Sequence, residues 1–418
     1  MRILVIGGGG REHAIIKKLL ESPKVSELYA APGNGGIGID AVCVDIKVVD
    51  IQAMVKFAVD KAIDLVVVAP ETPLAMGMVD AMNKVGIRAF GPNQSASRIE
   101  GSKVFSKNLM KRYRIPTARY ESFDNIDAAR EYVQGLNYPI WIKADGLALG
   151  KGAIQATDIE SAHKILEYNM VEKAFGESGS CVVIEEHMDG PEITVLAFCD
   201  GKTIRPMISS MDFKRAHDNN MGPNTGGMGA IVPNPHYTET IAARCMNEIF
   251  LPTIHAMESE GCPFKGCLYF GLMLTTSGPK VIEYNCRFGD PEAQVVLPML
   301  ETDLLEIMIA VCDGTLANID IQWKSGAAAC VIMASGGYPN AYETGFLISG
   351  LDKRGGIAGA DVYHSGTKWD DTFLTSGGRV LGITTTADTL KFALEDVYRL
   401  VGHISFEGVH YRRDIGNW

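Results

Sequence analysis

Short apolar runs alternate with longer amphipathic stretches along about the first 100 residues of the chain. The short runs predict strands, and apolar residues spaced three or four positions apart predict helices. Strands that alternate with helices pair in parallel through right-handed crossovers, so a parallel α/β domain is expected. Its predicted strands are Ile3–Ile6, Leu28–Ala30, Asp64–Val68 and Ile87–Phe90. Its predicted helices are Glu12–Leu20, Ile51–Lys61 and Pro73–Val85.

The middle of the chain is typical of a small lobe, over residues 121–191, followed by a larger body over 192–324. Lys103–Tyr113 predicts a helix that leads into the lobe and ends before Pro116, because a residue before proline disfavours the helical conformation. Residues 325–418 begin with the apolar strand Ala327–Met333 and form a further unit. The other elements predicted in the lobe and body are helices Ile126–Gln134 and Ile159–Tyr168 and strands Pro139–Lys143, Ala153–Ala156, Cys181–Glu186 and Lys280–Arg287.

The composition fits a folded multidomain protein: 418 residues, 46% of them hydrophobic and 21% charged. A net charge of -11 argues against a protein that coats nucleic acid and against a polybasic membrane anchor. No stretch approaches the ~20 apolar residues of a membrane span. The nine cysteines are scattered and form no C-x-x-C pair, which fits a reduced compartment. We therefore expect a cytoplasmic protein with neither nucleic-acid nor membrane partners.

The first apolar run ends in the glycine-rich turn Gly7–Gly10, just before a predicted helix. Glycines let backbone N–H groups approach an anion, and a helix N-terminus favours negative charge, so the turn is a candidate phosphate site. A dinucleotide-binding turn is one alternative. However, the third glycine of G-x-G-x-x-G would fall at Glu12, and strand two ends in Tyr29-Ala30 without a ribose-binding acid. A purely structural turn is the other alternative.

A second glycine-rich loop, Ala144–Gly152, connects two predicted strands and is bracketed by Lys143 and Lys151. A Walker A loop places Ser or Thr after its lysine and then a helix, whereas Lys151 is followed by Gly152 and a β-prone run. A flexible hairpin with a lysine at each end is suited to fold over a triphosphate. A solvated turn with two incidental lysines is the alternative.

The run from Val182 to Glu192 leaves a buried strand and enters a turn between the lobe and the body. Exposed backbone groups in such a connector match the edge of a purine, and Glu192 is placed to accept hydrogen bonds from ribose hydroxyls. Taken alone, an ordinary strand end is the simpler interpretation.

Polar residues follow one face of the predicted strand Lys280–Arg287. Since alternate strand residues point to opposite faces, Glu283, Asn285 and Arg287 are predicted to share the polar face. Carboxylate and amide oxygens suit Mg²⁺, and a guanidinium suits a carboxylate or a phosphate. A solvated strand face is the alternative. The residues predicted to pack on the opposite face are apolar or aromatic: Ile282, Tyr284, Cys286 and Phe288.

Two further segments precede this strand. Met211–Arg215 combines one acid with two bases, and Gly222–Gly229 is a glycine-rich loop with polar side chains. Taken singly, each is also compatible with a surface loop.

In combination these segments resemble the glycinamide ribonucleotide synthetase family of the ATP-grasp superfamily. The resemblance covers almost the whole chain. G-P-N-T-G-G-M-G at Gly222–Gly229 and N-C-R-F-G-D-P-E at Asn285–Glu292 are specific to this family. The other matching segments are Gly7–Ala14, Ala31–Gly35, Pro70–Leu74, Gly101–Lys103, Lys143–Gly146, Gly150–Gly152, Gly377–Val380 and Arg413–Gly416.

The resemblance implies an α/β and α+β multidomain fold. A Rossmann-like N-terminal domain spans 1–100, an ATP-grasp unit spans 101–324 with its lid at about 121–191, and a small C-terminal α+β domain spans 325–418. It also implies ATP-dependent ligation of glycine to 5-phosphoribosylamine through glycyl phosphate, with Mg²⁺ or Mn²⁺, in purine biosynthesis. A monomer or a weak homodimer is expected.

The residue roles implied by the resemblance fall into four groups. The nucleotide group is Lys103, Lys143, Lys151, Glu185, Glu186, Met188 and Glu192. The metal ligands are Glu283 and Asn285. The substrate group is Gly9, Gly10, Pro70, Glu71, Asp212, Lys214 and Arg287. The catalytic group is Arg287, Asp212, Lys214 and Lys151.

The sequence departs from the family pattern at Met211 and Phe213, which replace a Gln and a His or Tyr, and at Leu149, which replaces a small residue. Because Asp212 and Lys214 are kept, the chemistry is expected to be kept as well. Three rival interpretations are another ATP-grasp ligase that uses bicarbonate or formate, an NAD(P)-dependent oxidoreductase, and a nucleotide sensor without turnover.

Overall fold

The computed structural model describes residues 1–148 and 152–417. The elements of its N-terminal part are β1 (Arg2–Gly7), α1 (Gly10–Leu20), β2 (Glu27–Pro32), α2 (Ile37–Asp40), β3 (Val42–Cys43), α3 (Ile51–Asp60), β4 (Leu65–Val68), α4 (Glu71–Ala75), α5 (Met78–Lys84), β5 (Arg88–Phe90) and α6 (Gln94–Gly101). The strands form a parallel sheet in the order β3-β2-β1-β4-β5. Strands β1 and β4 are almost wholly buried, as in parallel sheets covered on both faces. The predicted parallel α/β domain is confirmed.

One predicted helix of this domain, Pro73–Val85, is wrong as a single element. The chain forms α4 and α5 instead, separated at Gly77, which adopts a φ of 87°. A residue in that left-handed conformation cannot continue a right-handed helix, and glycine adopts it without steric cost. The break places Glu71 at the start of its own short helix, directly after Pro70.

Helix α7 (Lys103–Tyr113) leads into the lobe, whose elements are β6 (Tyr120–Phe123), α8 (Ile126–Gln134), β7 (Ile140–Ala144), β8 (Ala153–Ala156), α9 (Ile159–Leu166) and β9 (Val182–Glu186). The bounds predicted for α7, α8 and β8 are confirmed. Helix α9 ends earlier than Tyr168, because the chain widens into a π-helical turn at Glu167–Val171. The strands form an antiparallel sheet in the order β6-β9-β7-β8, with α8 and α9 packed on one face.

The elements of the body are β10 (Glu192–Asp200), β11 (Ile204–Pro206), β12 (Met211–Asp212), β13 (Arg215–His217), β14 (Met221–Asn224), β15 (Gly229–Val232), α10 (Glu239–Cys245), α11 (Leu251–Ser259), β16 (Lys265–Thr275), β17 (Gly278–Asn285), α12 (Ala293–Val296) and α13 (Leu304–Asp313). Its central sheet is antiparallel, in the order β11-β10-β16-β17. One hydrophobic core joins this sheet to the N-terminal domain.

Two details of the predicted strand Lys280–Arg287 are wrong. Strand β17 ends at Asn285, so Arg287 lies beyond its last ladder position. Ile282 does not pack with Tyr284. In the ladder between β16 and β17, Gly271 pairs with Glu283 and Leu272 pairs with Val281, so Ile282 is the extra residue of a β-bulge. The bulge re-aims Ile282, which is partly exposed, while Val281 is fully buried.

The remaining elements are β18 (Ala327–Ala334), β19 (Asp361–His364), β20 (Thr367–Trp369), β21 (Phe373–Thr375), β22 (Arg379–Ala387) and α14 (Leu390–Val401). An antiparallel sheet in the order β12-β15-β18-β22-β19 is covered by α14. Two of its strands, β12 and β15, precede residue 325 in the chain. The segment that carries Asp212 is therefore paired into the same sheet as the C-terminal strands. The predicted α/β and α+β multidomain fold is confirmed.

Within residues 1–148 and 152–417, none of the helices combines the length and the apolar character needed to cross a bilayer.

Candidate active site

Lysines and a glutamate form a buried charge cluster where the lobe, hereafter the lid, faces the body. Lys103 and Lys107 lie one turn apart on α7, and Lys143 lies on β7. The carboxylate of Glu185, which is 2% exposed, lies 2.9 Å from Nζ of Lys107 and 3.0 Å from Nζ of Lys143. Lys103 instead donates to the carbonyl oxygen of Gly146 in the glycine-rich loop, at 3.2 Å. Glu185 thus orients Lys107 and Lys143. With Lys103, the cluster contains three lysine ammonium groups and one carboxylate.

The protonation of this cluster follows from its burial and its charges. Burial raises the pKa of Glu185, but Lys143 and Lys107 outweigh it and hold that pKa below its usual value. Burial lowers the pKa of Lys107 to about 8, and burial also lowers the pKa of Lys103 despite the nearby Glu283. The cluster is therefore cationic near pH 7 and suits a polyphosphate. The other predicted lysine, Lys151, lies outside the described residues.

The residues predicted to cradle the nucleoside continue from β9 into the connector. Glu186 pairs with Arg119, with 2.6 Å between Oε2 and Nε, and Met188 is partly exposed. Glu192 begins β10, and its Oε2 lies 2.6 Å from Nζ of Lys214. Because Glu186 directly follows Glu185 on β9, the connector begins beside the lysine cluster. The individual roles of Glu186, Met188 and Glu192 stay predictions.

Glu283 and Asn285 lie two residues apart on β17, and both are partly exposed. In the part of the chain that the structure describes, no group of three or more His, Cys, Asp or Glu side chains is arranged to hold a metal ion. Mg²⁺ typically binds through one or two carboxylates and keeps water and phosphate ligands. One carboxylate beside one amide oxygen therefore fits a magnesium ion that is shared with a nucleotide. It does not fit a permanently enclosed structural ion.

Arg287 links this strand to the N-terminal domain. Its Nε lies 3.2 Å from Oε2 of Glu71, and its Nη2 lies 3.3 Å from Oε1 of Glu100. Burial would lower the Arg287 pKa, but Glu100 and Glu71 outweigh burial and raise it. Burial would raise the Glu71 pKa, but Arg287 and Arg11 outweigh burial and lower it. The guanidinium and the Glu71 carboxylate are therefore both charged at neutral pH.

The glycine-rich N-terminal turn lies close to the segment that follows Arg287. The N–H of Gly9 donates to Oε2 of Glu12 at 2.6 Å, so that donor is already occupied. A Cβ on Gly9 would lie 3.5 Å from Oδ2 of Asp290, and a Cβ on Gly10 would lie 2.6 Å from both Nε2 of Gln294 and Oγ of Ser365. A side chain at Gly10 would therefore require Gln294 and Ser365 to move. The open donors at the N-terminus of α1 are then the N–H groups of the first turn, beginning with Gly10.

The predicted catalytic residues Asp212 and Lys214 lie among further charged side chains. Oδ1 of Asp212 is buried and has no hydrogen-bond partner among the described residues. Burial, and then the charge of Glu292, raise the Asp212 pKa well above its usual value. Burial would lower the Lys214 pKa, but Glu192 and then Tyr269 outweigh it and raise that pKa. Lys214 therefore stays charged, whereas burial and the charge of Glu292 favour the protonated form of Asp212.

The structure brings the predicted residues into two adjoining groups. One contains Lys103, Lys143, Glu185, Glu283 and Asn285. The other contains Gly9, Gly10, Pro70, Glu71 and Arg287. Asp212, Lys214 and Glu192 lie beside the first group. Glu283, a member of that group, is close enough to Lys214 to raise its pKa, although Glu192, Tyr269 and Asp212 raise it more.

Four side chains of this site were not predicted from the sequence. Lys107 follows Lys103 by four positions on a correctly predicted helix, and that spacing places both on one helix face. Glu292 and Arg379 belong to matching segments to which no side-chain role was given. Arg379 donates to the carbonyl oxygens of Gly226 (2.6 Å) and Asp290 (2.8 Å). Glu100 carries no local signal, because its partner lies far along the chain.

Comparison of the chain with known protein families finds three family models that match it. The phosphoribosylglycinamide synthetase N domain matches residues 1–100, the ATP-grasp (A) domain of the same family matches 101–293, and its C domain matches 328–418. The chain belongs to this family. The resemblance read from its motifs is therefore confirmed, and the protein is an ATP-grasp ligase of the phosphoribosylglycinamide synthetase family.

Individual relatives agree with this family. A phosphoribosylamine–glycine ligase of Caldanaerobacter subterraneus subsp. tengcongensis is 47% identical over 416 residues, with 99% of both chains covered. An enzyme of the same name from Vibrio parahaemolyticus is 45% identical over 420 residues, with 100% of this chain and 98% of the relative covered. The crystal structure of phosphoribosylamine–glycine ligase from Thermotoga maritima has a TM-score of 0.88 and 31% identity, covering 99% of this chain and 100% of that one.

A more distant structure shares the fold alone. The biotin carboxylase domain of the Hydrogenobacter thermophilus 2-oxoglutarate carboxylase has a TM-score of 0.74 at 15% identity, covering 98% of this chain and 91% of that chain, and was solved with MgADP and bicarbonate. Membership of the phosphoribosylglycinamide synthetase family implies the use of ATP with a divalent metal ion and action on small-molecule substrates.

Proposed function

We propose that this ligase joins glycine to 5-phosphoribosylamine through a glycyl phosphate intermediate, with Mg²⁺ (or Mn²⁺) as the divalent ion. The observation that carries the proposal is the pairing of two half-sites. A cationic cluster around Glu185 faces the carboxylate and amide of β17. Arg287 then connects that strand to the domain that carries the glycine turn. A polyphosphate suits the first half-site, and a phosphorylated sugar suits the second.

In the first step, a carboxylate oxygen of glycine attacks the γ-phosphorus of ATP. A P–O bond to glycine forms, the bond from the γ-phosphorus to the β,γ-bridging oxygen breaks, and ADP leaves. Lys103 and Lys143 would neutralise the transferring phosphoryl group, and Glu283 and Asn285 would hold the divalent ion. The ion, when bound, offsets negative charge on the phosphates.

In the second step, the 1-amino group of 5-phosphoribosylamine attacks the carbonyl carbon of glycyl phosphate. The C–N bond forms, the C–O bond to the phosphoryl group breaks, and phosphate leaves while the amine loses a proton. The turn at Gly9 and Gly10, with Pro70 and Glu71, would bind the sugar phosphate. Lys214, Asp212 and Arg287 would position the glycyl group. No covalent enzyme nucleophile is needed, so catalysis rests on positioning and charge.

The lid has a defined role in this scheme. Glycyl phosphate hydrolyses in water, so the lid should close over the cleft before phosphoryl transfer. Lys151 belongs to that loop and is proposed to reach the nucleotide on closure. We further expect a cytoplasmic location and a monomer or weak homodimer. Sedimentation of the purified chain measures the oligomeric state.

Phosphate release with each substrate omitted in turn tests the proposed reaction. Release should require ATP, a divalent ion, glycine and 5-phosphoribosylamine together. Turnover with bicarbonate or formate in place of glycine would assign a different ATP-grasp ligase. The intermediate has its own test: ¹⁸O in the carboxylate of glycine should appear in the released phosphate, and phosphate free of label would contradict the acyl-phosphate route.

A further inference from the structure

The two faces of the lid sheet differ in composition. Trp141 on β7 pairs directly with Gln155 on β8 and with Glu185 on β9, and directly paired residues share a face. Lys143 lies two residues after Trp141 and shares that face as well. Because Lys143 and Glu185 line the cleft, Trp141 and Gln155 also point toward it. The opposite face forms the lid core with Ile140, Ile142, Ala156, Val182 and Ile184.

Trp141 is held in place by polar partners rather than by core packing. Its Nε1–H donates to Nδ1 of His187 at 3.1 Å, and the two rings lie 29° from parallel with centroids 6.4 Å apart. Nε2 of Gln155 also lies 3.4 Å from Nδ1 of His187. Since Nδ1 accepts, the proton of neutral His187 sits on Nε2, which lies 3.0 Å from Oδ1 of Asp189. The connector thus fixes the indole along the lid surface.

The position of Trp141 along the cleft indicates which part of the nucleotide it meets. β7 runs from the connector, where Ile140 pairs with Glu186, toward the glycine-rich loop that follows Ala144. The phosphate-binding end is the loop end, so Trp141 lies at the base end. Ile282 on β17 lies across the cleft: its carbonyl oxygen is 3.4 Å from Nζ of Lys143, and its side chain is partly exposed.

We propose that Trp141, oriented by His187 and Gln155, stacks on the purine ring of the bound nucleotide and closes the base site against Ile282. The inference rests on the proposed function, because it assumes that ATP enters this cleft. It adds a base-stacking residue and two positioning residues to the site. Its physical basis is the large flat surface of an indole, whose stacking on a base contributes substantially to affinity at little cost in side-chain freedom.

An indole that merely supports the lid would belong to its hydrophobic core. Trp141 is absent from that core, is partly exposed, and satisfies its N–H through the connector instead of through the lid. The side chain is therefore available to a ligand that lies between the lid and β17.

Intrinsic fluorescence tests the inference directly with Mg·ADP as the probe. Binding of Mg·ADP should change the tryptophan emission of the intact chain, and Trp141→Phe should remove that change. Trp369→Phe is the matched control, since Trp369 is 49% exposed on the C-terminal hairpin β20–β21. An emission change that persists in Trp141→Phe and disappears in Trp369→Phe would overturn the proposal.

Steady-state kinetics separate stacking from a structural role. Trp141→Ala should raise the KM for ATP about tenfold or more, with little change in kcat or in the KM for glycine. Trp141→Phe, which keeps an aromatic face, should stay within a few-fold of the wild type. An equal loss of kcat in both variants, or no rise in KM for ATP in Trp141→Ala, would contradict stacking.

His187→Ala tests the positioning role, because it leaves the indole present and frees its N–H. Its emission maximum should shift in the absence of nucleotide, and its KM for ATP should rise less than that of Trp141→Ala. An unchanged emission spectrum and KM would exclude the positioning role. Wild-type chain that neither binds Mg·ADP nor turns over ATP would instead refute the proposed function itself, whereas normal turnover with an unaffected Trp141→Ala would refute only this inference.

Discussion

The guanidinium of Arg287 contacts the carboxylate of Glu71 across the boundary between the body and the N-terminal domain, with 3.2 Å between Nε and Oε2. Both side chains are about one-fifth exposed. Arg287 also contacts Glu100, and Glu100 in turn accepts a hydrogen bond from the backbone N–H of Cys286 at 2.7 Å. The end of the proposed metal-binding strand is therefore fixed against the domain that carries the glycine turn. In the proposed mechanism this contact sets the distance between acyl phosphate and amine.

Arg287→Met should reduce both activity and stability. It leaves Glu71 and Glu100 without their shared cation in a largely buried place, and removing one partner of a buried pair typically costs about 3–5 kcal/mol. We expect kcat/KM for 5-phosphoribosylamine to fall at least about 100-fold and the melting temperature to drop. Arg354→Met is the control, since Arg354 is exposed. Wild-type kinetics in Arg287→Met would show that the contact is not part of the site.

Glu283→Ala should abolish turnover while leaving the fold largely intact. Glu283 is a partly exposed strand residue, and its proposed task is to hold the divalent ion. Phosphate release should fall by about a thousandfold, and added Mg²⁺ should restore little of it, while the melting temperature changes by a few degrees at most. Glu301→Ala, at an exposed position outside the cleft, should behave as the wild type. A near-normal rate in Glu283→Ala would make the metal assignment wrong.

The KM for ATP should depend on pH through Lys107. Burial lowers the Lys107 pKa to about 8, so the charge of this lysine is present below pH 8 and is lost as the pH rises through that value. The KM for ATP should therefore rise between pH 7 and pH 9. Lys107→Met should show a raised KM at pH 7, by about tenfold, and a flatter profile. Lys111→Met, one turn along α7 and exposed, is the control. A Lys107→Met profile that parallels the wild type would contradict this.

Stability should fall in mild acid because of a histidine at the interface of the N-terminal and C-terminal domains. His364 is 1% exposed and is bonded to Thr367 and Gly355, and burial lowers its pKa to about 3. Below its ordinary value of 6.5, an unfolded chain binds a proton that the folded chain does not. Unfolding free energy should therefore decrease as the pH falls from 6.5, by up to about 1.4 kcal/mol per pH unit.

Melting temperatures of the wild type and His364→Gln between pH 7.5 and pH 5 check this sign. The variant has no titrating group at this position, so its melting temperature should fall less steeply with acid. The buried His13, whose pKa burial also lowers, remains in both proteins, so the variant should keep a residual slope. Identical slopes would remove His364 from the explanation.

Elements with strong local signals could be predicted from the sequence. Helix α7 begins where the Ser102 side chain accepts a hydrogen bond from the N–H of Phe105, and α8 begins at Asn125, which caps the N–H groups of Asp127 and Ala128. Such caps are encoded within four residues. The glycine turns and the polar face of β17 are equally local, which is why the candidate residues on them could be named in advance.

Features that depend on distant pairing could not be predicted in this way. The bulge that displaces Ile282 arises from the register with β16, and the pairing of β15 with β18 joins strands that are about 100 residues apart in sequence. The buried environment of Glu185 depends on lysines from α7 and β7 together. Strand pairing of this kind is decided by tertiary packing, for which short windows of sequence carry no signal.

A crystal structure of the chain with bound Mg·ADP tests the central claim most directly. We predict the phosphates between Lys103, Lys143 and the β17 residues Glu283 and Asn285, with the ion on those last two side chains. The contrary result is an empty cleft with the nucleotide bound at Gly7–Gly10, which would assign ATP to the half-site proposed for the sugar phosphate.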